Sequence, residues 1–423
     1  MNDAPVDLSV PEMLEDPVRG FGKLREQAPV VRALYPGMQT PVWLVTRYAE
    51  VKEVLHDPRF VVDPSVIPGV EGPSLGDQLV EAFGIPPEYR KYMKSLLSVD
   101  GAEHTRLRGL VARAFTPRMI NKLRPKVEQI AEELLDELPG HAEDGVVDLL
   151  GTFAFPLSGN VICELVGVDK QDRSNWRDWF HEMASGDPEL IRNALRGMVE
   201  RAQGLIERRR VQPADDLVTT LVRIHSEEGA RISESEMIAL VILTVQGGHH
   251  TTAHFIANAT EALLENPEQL AMLRDKPELA PGAVHELLRC VSPVPGAAAV
   301  HASEDIHLGD TLIRQGDAVV CSGTSANMDP RVFEDPERLD ITRECGGGRE
   351  IHVAFGRGEH YCLGAELARQ EAEVAIGALF RRYADLTLAV AAKDLQRQPI
   401  MGARPLLSLP VRLESFGDVS STR

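Results

Sequence analysis

Apolar residues recur every three to four positions along much of the chain, which is the spacing of amphipathic helices. The strongest helical segments are Met119–Leu138, Leu190–Val211, Glu234–Glu265, Ala280–Cys290 and Leu363–Tyr383. Strand patterns are fewer and short: Val42–Arg47, Thr311–Ile313 paired with Ala318–Cys321 around the Gln315-Gly316 turn, and Leu406–Leu413. The pattern therefore predicts a mainly α fold with small β-sheets.

The segment from Glu234 to Glu265 predicts an unusually long helix. Ser233 and Glu236 fit a capping box at its start, and Asn266-Pro267 ends it. At about 1.5 Å per residue this helix would be roughly 48 Å long. Its first half is apolar on nearly all sides, so we expect it to cross the middle of the molecule.

The centre of this long helix reads Gln246-Gly-Gly-His-His-Thr-Thr252, in which six consecutive residues after Gln246 are poor helix formers. A glycine in a helix interior costs about 1 kcal/mol, and threonines there can bond back to carbonyl groups and bend the helix. Such a local conflict is expected at a functional site. We expect either a groove in which a small ligand approaches the backbone, or close packing of another helix against the glycines.

One cysteine lies in a glycine-rich turn near the C-terminus, in the sequence FGRGEHYCLG from Phe355 to Gly364. The thiolate form of cysteine binds metals, and a helix N-terminus and nearby N–H groups favour that form. Glycine allows the tight turns that such a loop needs. The segment predicts a loop and helix start that hold an anionic Cys362 sulfur; a buried free cysteine is the alternative.

Size and composition restrict the remaining possibilities. The 423 residues show no linker or repeat, which favours a single domain over residues 1–423 with a core at about 15–414. The net charge of −19 disfavours nucleic acid and anionic membranes. Five scattered cysteines indicate a reducing compartment rather than disulfides or a zinc cluster. Without a visible signal peptide or membrane-length apolar run, we expect a cytoplasmic protein.

The turn around Cys362 resembles the haem-binding signature of the cytochrome P-450 family, with Phe355, Gly358, Cys362 and Gly364 at the signature positions. The resemblance runs from Trp43 to Arg412. It implies one P-450-like domain with haem b between the long central helix and the helix after the Cys loop. It also implies that the Cys362 thiolate is the axial ligand of the haem iron.

The same resemblance extends to the centre of the long helix. Gly248, His249, His250 and Thr251 occupy the places of the family's oxygen-binding groove, which reads Gly, any residue, an acid and Thr. It implies that Gly248 lies at the haem and that Thr251 delivers protons for oxygen activation. His250 departs from the usual Asp or Glu. It could relay protons itself, point away so that ordered water serves, or contact the substrate.

The resemblance assigns further residues to haem binding. His104, Arg108 and His360 are implied to bind the haem propionates, for which an arginine and histidine donors are suited. Val300 stands where the family commonly has another propionate arginine, and the neighbouring His301 could compensate.

A structural ion-pair network is also implied by the resemblance. Glu286 and Arg289 lie at i and i+3, where one helix face carries both side chains. Arg338 is the expected third member, and a surface salt bridge is the alternative interpretation of the helical pair.

Together these motifs imply a haem monooxygenase that uses O2 to hydroxylate or epoxidise a bulky apolar small molecule, such as a macrolide or other polyketide. We expect a monomer that takes electrons from a separate ferredoxin and ferredoxin reductase, since the chain has no flavin or iron–sulfur motif. A basic patch of Arg106, Arg113, Arg357 and Arg369 would suit an acidic ferredoxin.

The substrate contacts implied by the resemblance come from Phe60–Leu97, the central groove, and two later segments, which contribute Val294, Pro295, Ala297, Ala298, Ile400 and Met401. Two alternatives remain open. One is a haem-thiolate enzyme that catalyses an atypical oxidation: peroxide-driven, desaturation, ring formation or coupling. The other is a non-catalytic haem- or ligand-binding protein.

Overall fold

The computed structural model describes residues 4–35, 40–70, 81, 84–93, 95–227, 232–296, 299–343 and 350–413. Helices dominate this part of the chain. Their bounds are α1 Pro11–Glu15, α2 Pro17–Gln27, α3 Tyr48–His56, α4 Gly101–Ala112, α5 Pro117–Glu137, α6 Phe155–Val166, α7 Arg173–Ala184, α8 Pro188–Val211, α9 Leu217–Glu227, α10 Glu234–Glu265, α11 Pro267–Asp275, α12 Ala280–Val291, α13 Gly323–Asn327 and α14 Ala365–Arg382.

The strands are short. Their bounds are β1 Val6–Asp7, β2 Val30–Leu34, β3 Val42–Val45, β4 Phe60–Val61, β5 Val146–Asp148, β6 Val300–Ala302, β7 Ile306–Leu308, β8 Thr311–Ile313, β9 Ala318–Cys321, β10 Thr387–Leu388 and β11 Pro410–Arg412. They form a six-stranded sheet in the order β1-β2-β3-β9-β6-β4, a three-stranded sheet β10-β11-β5 and a β7-β8 hairpin. The prediction of a mainly α fold with small sheets is confirmed.

The predicted pairing of two of these strands is wrong. Thr311–Ile313 pairs antiparallel with Ile306–Leu308, whereas Ala318–Cys321 lies between β3 and β6 in the large sheet. The turn at Gln315 and Gly316 joins two different sheets. Gly316 adopts a φ of +85° there, and its N–H donates to the carbonyl oxygen of Ala302 on β6.

The long central helix α10 has the predicted bounds. Its start is a complete capping box: Glu236 N–H donates to Ser233 Oγ at 3.2 Å, and Ser233 N–H donates to the Glu236 carboxylate at 2.6 Å. Nearly every apolar side chain from Met237 to Val245 is buried. The helix packs against α6 along one side and against α12 and α14 on others, so it runs through the main hydrophobic core. Among the helices described here, none is both long and apolar enough to cross a lipid bilayer.

Candidate active site

The turn before α14 holds Cys362. Gly356 and Gly358 adopt φ angles of +70° and +68°, a conformation that side chains with a Cβ rarely adopt. A Cβ on Gly358 would lie 2.1 Å from the carbonyl oxygen of Leu55, so the turn also packs tightly against the end of α3. The N–H of Cys362 donates to the carbonyl oxygen of Phe355 at 2.9 Å and closes the loop. The predicted helix begins at Ala365, so Cys362 precedes its first turn.

Cys362 is open to solvent along one side and enclosed by protein elsewhere. Burial raises the pKa of its thiol, while the backbone N–H of Gly364 and the Arg108 guanidinium act in the opposite direction. A bound metal ion deprotonates a coordinating thiol. The loop therefore supplies groups that stabilise a thiolate once a metal ion is bound. Without a metal, burial keeps the Cys362 thiol protonated.

Cationic and imidazole side chains gather beside this loop. The ring of His104 on α4 lies 4.3 Å from that of His360, centroid to centroid. Arg108 Nη2 donates to the carbonyl oxygen of Tyr361 at 2.6 Å. His104 is buried, and neither ring nitrogen has a well-formed hydrogen bond, although Nδ1 lies 2.9 Å from a Glu359 carboxylate oxygen. Burial and the neighbouring His360 lower the pKa of His104.

These donors fit a haem. A haem presents an iron that takes an axial sulfur and two propionate carboxylates that accept hydrogen bonds. The structure has Cys362 in a loop built around its sulfur, with Arg108 next to it and the buried ring of His104 nearby, whose Nε2 has no hydrogen-bond partner. The predicted grouping of His104, Arg108, His360 and Cys362 is therefore present. Val300 instead lies among the apolar residues of the large sheet, and Nδ1 of His301 is 3.4 Å from the Gly316 carbonyl oxygen.

The centre of α10 presents Gly247 and Thr251 on an exposed face. The hydroxyl of Thr251 donates to the carbonyl oxygen of Gly247 at 2.6 Å. A Cβ on Gly247 would meet nothing within 4 Å, whereas one on Gly248 would lie 2.5 Å from Ile162 Cγ1. The assignment of Gly248 to the haem groove is thus wrong: it is the glycine of close helix packing, and Gly247 faces the open side.

The side chain of His250 turns toward α6 and α7. Its ring lies 5.2 Å from that of Phe155, and the rings of His181, His249 and His254 surround the same phenylalanine at 5.8, 5.3 and 5.2 Å. We refer to His181, His249, His250 and His254 as the histidine cluster. Burial and neighbouring histidines lower the pKa of His250 to about 4 and of His249 to about 3. His250 and His254 are one turn apart in sequence, but nothing in the sequence indicates that His181 joins them.

The ion-pair network includes a different third arginine from the predicted one. Arg289 Nε and Nη2 each donate to the buried Glu286 carboxylate at 2.8 Å, and Arg343 Nε donates to it at 3.0 Å. Arg338 is exposed and contributes only its carbonyl oxygen, which accepts from Arg343 Nη2 at 3.2 Å. The assignment of Arg338 is therefore wrong, because its side chain is exposed to solvent and the side chain of Arg343 contacts Glu286 instead. Burial would raise the pKa of Glu286, but the two arginines hold it below its usual value.

Two of the predicted substrate-contact segments meet in space. A Cβ on Gly402 would lie 2.8 Å from Pro295 Cβ, so the turn that contains Ile400 and Met401 packs against Pro295. Ile400 is 43% exposed, while Met401 packs partly into the N-terminal core. Ala297, Ala298 and part of the Phe60–Leu97 segment lie outside the described residues.

The predicted basic patch is largely neutralised by internal contacts. Arg106 contacts the carboxylates of Glu103 and Glu236, and Arg369 donates to Glu350 at 2.8 Å and to Glu366 at 2.6 Å. Arg357 Nη2 donates to the His352 carbonyl oxygen at 2.9 Å and so supports the Cys loop itself. Arg113 is exposed at the end of α4.

Comparison with known proteins decides the family. Residues 274–404 match the family model described as Cytochrome P450. The chain is 44% identical over 371 residues to Cytochrome P450 107B1 of Saccharopolyspora erythraea, covering 88% of this chain and 89% of the relative. It belongs to the cytochrome P450 family. Members of this family bind haem through a cysteine thiolate. This P450 is a monooxygenase, and it uses O2, a small-molecule substrate and a redox partner.

Further relatives agree with this assignment. The 6-deoxyerythronolide B hydroxylase of the same organism is 38% identical, with 96% of this P450 and 98% of the relative covered. The solved structure of the tirandamycin C-bound P450 monooxygenase TamI superposes with a TM-score of 0.84 at 39% identity, covering 97% of this chain and all of that one.

Proposed function

We propose that this P450 hydroxylates or epoxidises a bulky apolar small molecule, specifically a macrolide or another polyketide. The observation that carries the proposal is the loop of Cys362, with Arg108 and His104 beside it. The substrate class is supported by the names of relatives, which include 6-deoxyerythronolide B hydroxylase and mycinamicin IV hydroxylase/epoxidase. The apolar Val294, Pro295, Ile400 and Met401 suit such a molecule.

The proposed cofactor is haem b. The chain has no C-x-x-C-H motif for covalent haem attachment, which supports a non-covalently held haem. Cys362 would ligate the iron, and His104, Arg108 and His360 would bind the propionates. Phe355, whose ring lies 5.5 Å from the Arg369 guanidinium, would pack beside the sulfur. When bound, the haem supplies dioxygen activation, assisted by electron donation from the thiolate.

The protein itself would control the substrate, water and protons. Gly247 leaves room on the exposed face of α10, and the Thr251 hydroxyl on the same face would pass on protons. His250 would relay protons to Thr251 in place of the family's usual acid. Its low pKa keeps the imidazole neutral near pH 7, so it would carry a proton only while relaying it.

We further propose that a ferredoxin and its reductase supply the electrons and that the enzyme acts as a monomer. Arg113, exposed at the end of α4, is a point at which an acidic donor could dock. Cys163, Cys290, Cys321 and Cys362 are all free thiols, which supports the proposed cytoplasmic location because the cytoplasm is reducing.

The first experiment tests the cofactor site. Wild-type protein and Cys362→Ser are expressed with added haem precursor, and the reduced carbon-monoxide difference spectrum is recorded. We expect the haem-thiolate band in the wild type and its loss in the variant. A colourless wild-type protein, or an unchanged band in Cys362→Ser, would contradict the proposal.

The second experiment tests the substrate class. Macrolactones, linear polyketides, steroids and fatty acids are titrated in turn, and the haem spectral shift on displacement of bound water is measured. We expect macrolactones such as 6-deoxyerythronolide B to bind most tightly and to give a product heavier by one oxygen atom. Products formed only with peroxide, or without added oxygen, would favour an atypical oxidation. A spectral shift without any turnover would favour a binding protein.

A further inference from the structure

Helix α6 contacts the centre of α10 through Ser158, Gly159 and Ile162. Ser158 Oγ donates to the carbonyl oxygen of His249 at 2.9 Å, and a Cβ on Gly159 would lie 3.1 Å from the His249 ring. One turn further along α6, Ile162 packs so closely on Gly248 that a Cβ there would lie 2.5 Å from its Cγ1. The contact between the two helices therefore includes the poor helix formers of α10.

This part of α10 needs support from outside the helix. Glycine, histidine and threonine favour a helix less than the leucines and alanines elsewhere in α10 do. The helix nevertheless continues without a break from Glu234 to Glu265. Most helical stability in proteins comes from tertiary packing rather than from propensity. We therefore expect the contacts with α6 to hold the segment Gly247–Thr252 in its helical position.

The Ser158 hydroxyl is the polar part of this contact. Ser158 is 0% exposed, and its hydroxyl has alternative acceptors on its own helix, the carbonyl oxygens of Ala154 at 3.1 Å and Phe155 at 3.4 Å. The bond across to His249 is shorter than either. A carbonyl oxygen has two lone pairs, so that of His249 can accept from Ser158 as well as from the helical N–H of Ala253. A buried hydroxyl thus ties α6 to the backbone of α10.

The carbonyl group that accepts this bond lies inside the turn that forms the open face of α10. His249 is midway between Gly247 and Thr251, and the Thr251 hydroxyl spans the same turn by donating to the Gly247 carbonyl oxygen. Gly247 and Thr251 are exposed, whereas Gly248 faces α6. A bond to the backbone at His249 therefore restricts how far this turn can rotate or bend.

We propose that Ser158 is a positioning residue, whose hydrogen bond to the His249 carbonyl oxygen fixes the Gly247–Thr251 turn and so sets the width of the cleft beside the haem. The inference rests on the function proposed above and deepens it, because O2 and the substrate would share that cleft. Ser158 acts through the backbone of α10. Without its hydroxyl, the turn would populate a second position in addition to the one that the structure shows.

The first measurement is amide hydrogen exchange along α10, followed by mass spectrometry of the purified protein, and it does not require haem. Ser158→Ala removes the hydroxyl. We expect exchange in the segment Gly247–Ala253 to become about fivefold faster, the population shift that corresponds to loss of an ordinary hydrogen bond. Exchange in Ala257–Leu263 should stay at the wild-type rate. Ser158→Thr keeps the hydroxyl and should exchange like the wild type in both segments.

The second measurement is the infrared C–O stretching band of the reduced holoenzyme with bound carbon monoxide. The frequency of this band depends on the groups beside the bound gas, which the Gly247–Thr251 turn would provide. We expect a single narrow band in the wild type and in Ser158→Thr. In Ser158→Ala we expect a broader band or a second one, because the turn would occupy more than one position.

Ser325→Ala is the matched control. Ser325 is 1% exposed on α13, and its hydroxyl has no hydrogen-bond partner among the described residues, so its removal should change neither measurement. Wild-type exchange or a wild-type stretching band in Ser158→Ala would overturn the proposal. Equal changes in Ser158→Ala and Ser158→Thr would also overturn it, since that result indicates packing alone. A wild-type protein that binds no haem would contradict the proposed function, while hydrogen exchange would still decide the role of Ser158.

Discussion

The hydroxyl of Thr251 donates a 2.6 Å hydrogen bond to the carbonyl oxygen of Gly247, one turn earlier in α10. This bond satisfies the threonine donor inside the helix and leaves its oxygen lone pairs on the exposed face. It also positions the hydroxyl next to the space that the missing Cβ of Gly247 leaves open. Back-bonding to the i−4 carbonyl is an ordinary habit of helical threonines, and here it occurs within the run of poor helix formers where a functional site is expected.

Removal of this hydroxyl should separate electron consumption from productive oxidation. In Thr251→Val we expect NADPH oxidation to continue while peroxide release rises, because proton delivery loses a group of the kind worth roughly a hundredfold or more. Thr251→Ser retains the hydroxyl and should behave much like the wild type. The measurement is peroxide formed per NADPH in both variants; equal yields in Thr251→Val and Thr251→Ser would contradict the assigned role.

The adjacent glycines should respond differently to the same added methyl group. Gly248→Ala places a Cβ 2.5 Å from Ile162 Cγ1, so α6 and α10 must move apart at a cost of about 1–3 kcal/mol. Gly247→Ala meets nothing within 4 Å and should stabilise the helix by up to about 1 kcal/mol. Urea unfolding of each variant measures these changes.

The rate of carbon-monoxide binding to the reduced enzyme tests the same two variants in a second way. The methyl group of Gly247→Ala would enter the cleft, so we expect slower carbon-monoxide binding to the reduced enzyme despite the gain in stability. Gly248→Ala should bind carbon monoxide at nearly the wild-type rate as long as it is folded. The reverse order would mean that Gly248, and not Gly247, faces the haem.

The network of Glu286 offers a matched pair of arginines. Arg343→Ala removes a 3.0 Å hydrogen bond from a carboxylate that is 1% exposed, and we expect a loss of about 2 kcal/mol. Arg338→Ala removes an exposed side chain and keeps the carbonyl oxygen, so the change should stay within about 0.5 kcal/mol. Thermal unfolding of the two holoproteins measures the difference. A larger loss in Arg338→Ala would restore the assignment made from the sequence.

Local features of this fold were predictable, while features that depend on distant partners were not. The capping box of Ser233 and Glu236 specifies the start of α10 from adjacent residues, and the glycines around Cys362 specify its loop. The hairpin partner of Thr311–Ile313 depended on competition between β7 and β9 for the same strand. The spacing of apolar residues along the chain does not show which of two neighbouring strands will pair with a third.

The candidate site shows the same division. The resemblance predicted Cys362, Thr251 and the donors on α4, because the family's motifs assign roles to those positions. It did not identify Arg343, which lies five residues beyond Arg338 with no pattern to mark it. Nor did it show that His181 would meet His250, because that contact requires α7 to fold across α10. Both contacts, Arg343 with Glu286 and His181 with His250, arise from tertiary packing.

The histidine cluster should make the protein acid-sensitive. Burial lowers the pKa of His254 from the ordinary 6.5 to about 4, so the folded state disfavours the proton that the unfolded chain accepts. Between pH 6.5 and 4 the unfolded state thus binds more protons, and stability falls as the pH falls. At pH 5 this one residue accounts for a loss of about 2 kcal/mol relative to pH 7.

His254→Phe tests this linkage, because phenylalanine fits a site already formed by Phe155 and removes the titrating group. We expect the stability difference between pH 7 and pH 5, measured by urea unfolding, to be smaller in the variant by about 2 kcal/mol. His307→Phe serves as the comparison, since an exposed histidine should not alter the pH dependence. If His254→Phe loses as much stability on acidification as the wild type, then His254 is protonated in the folded protein at pH 5. The aromatic cage around it would in that case admit charge.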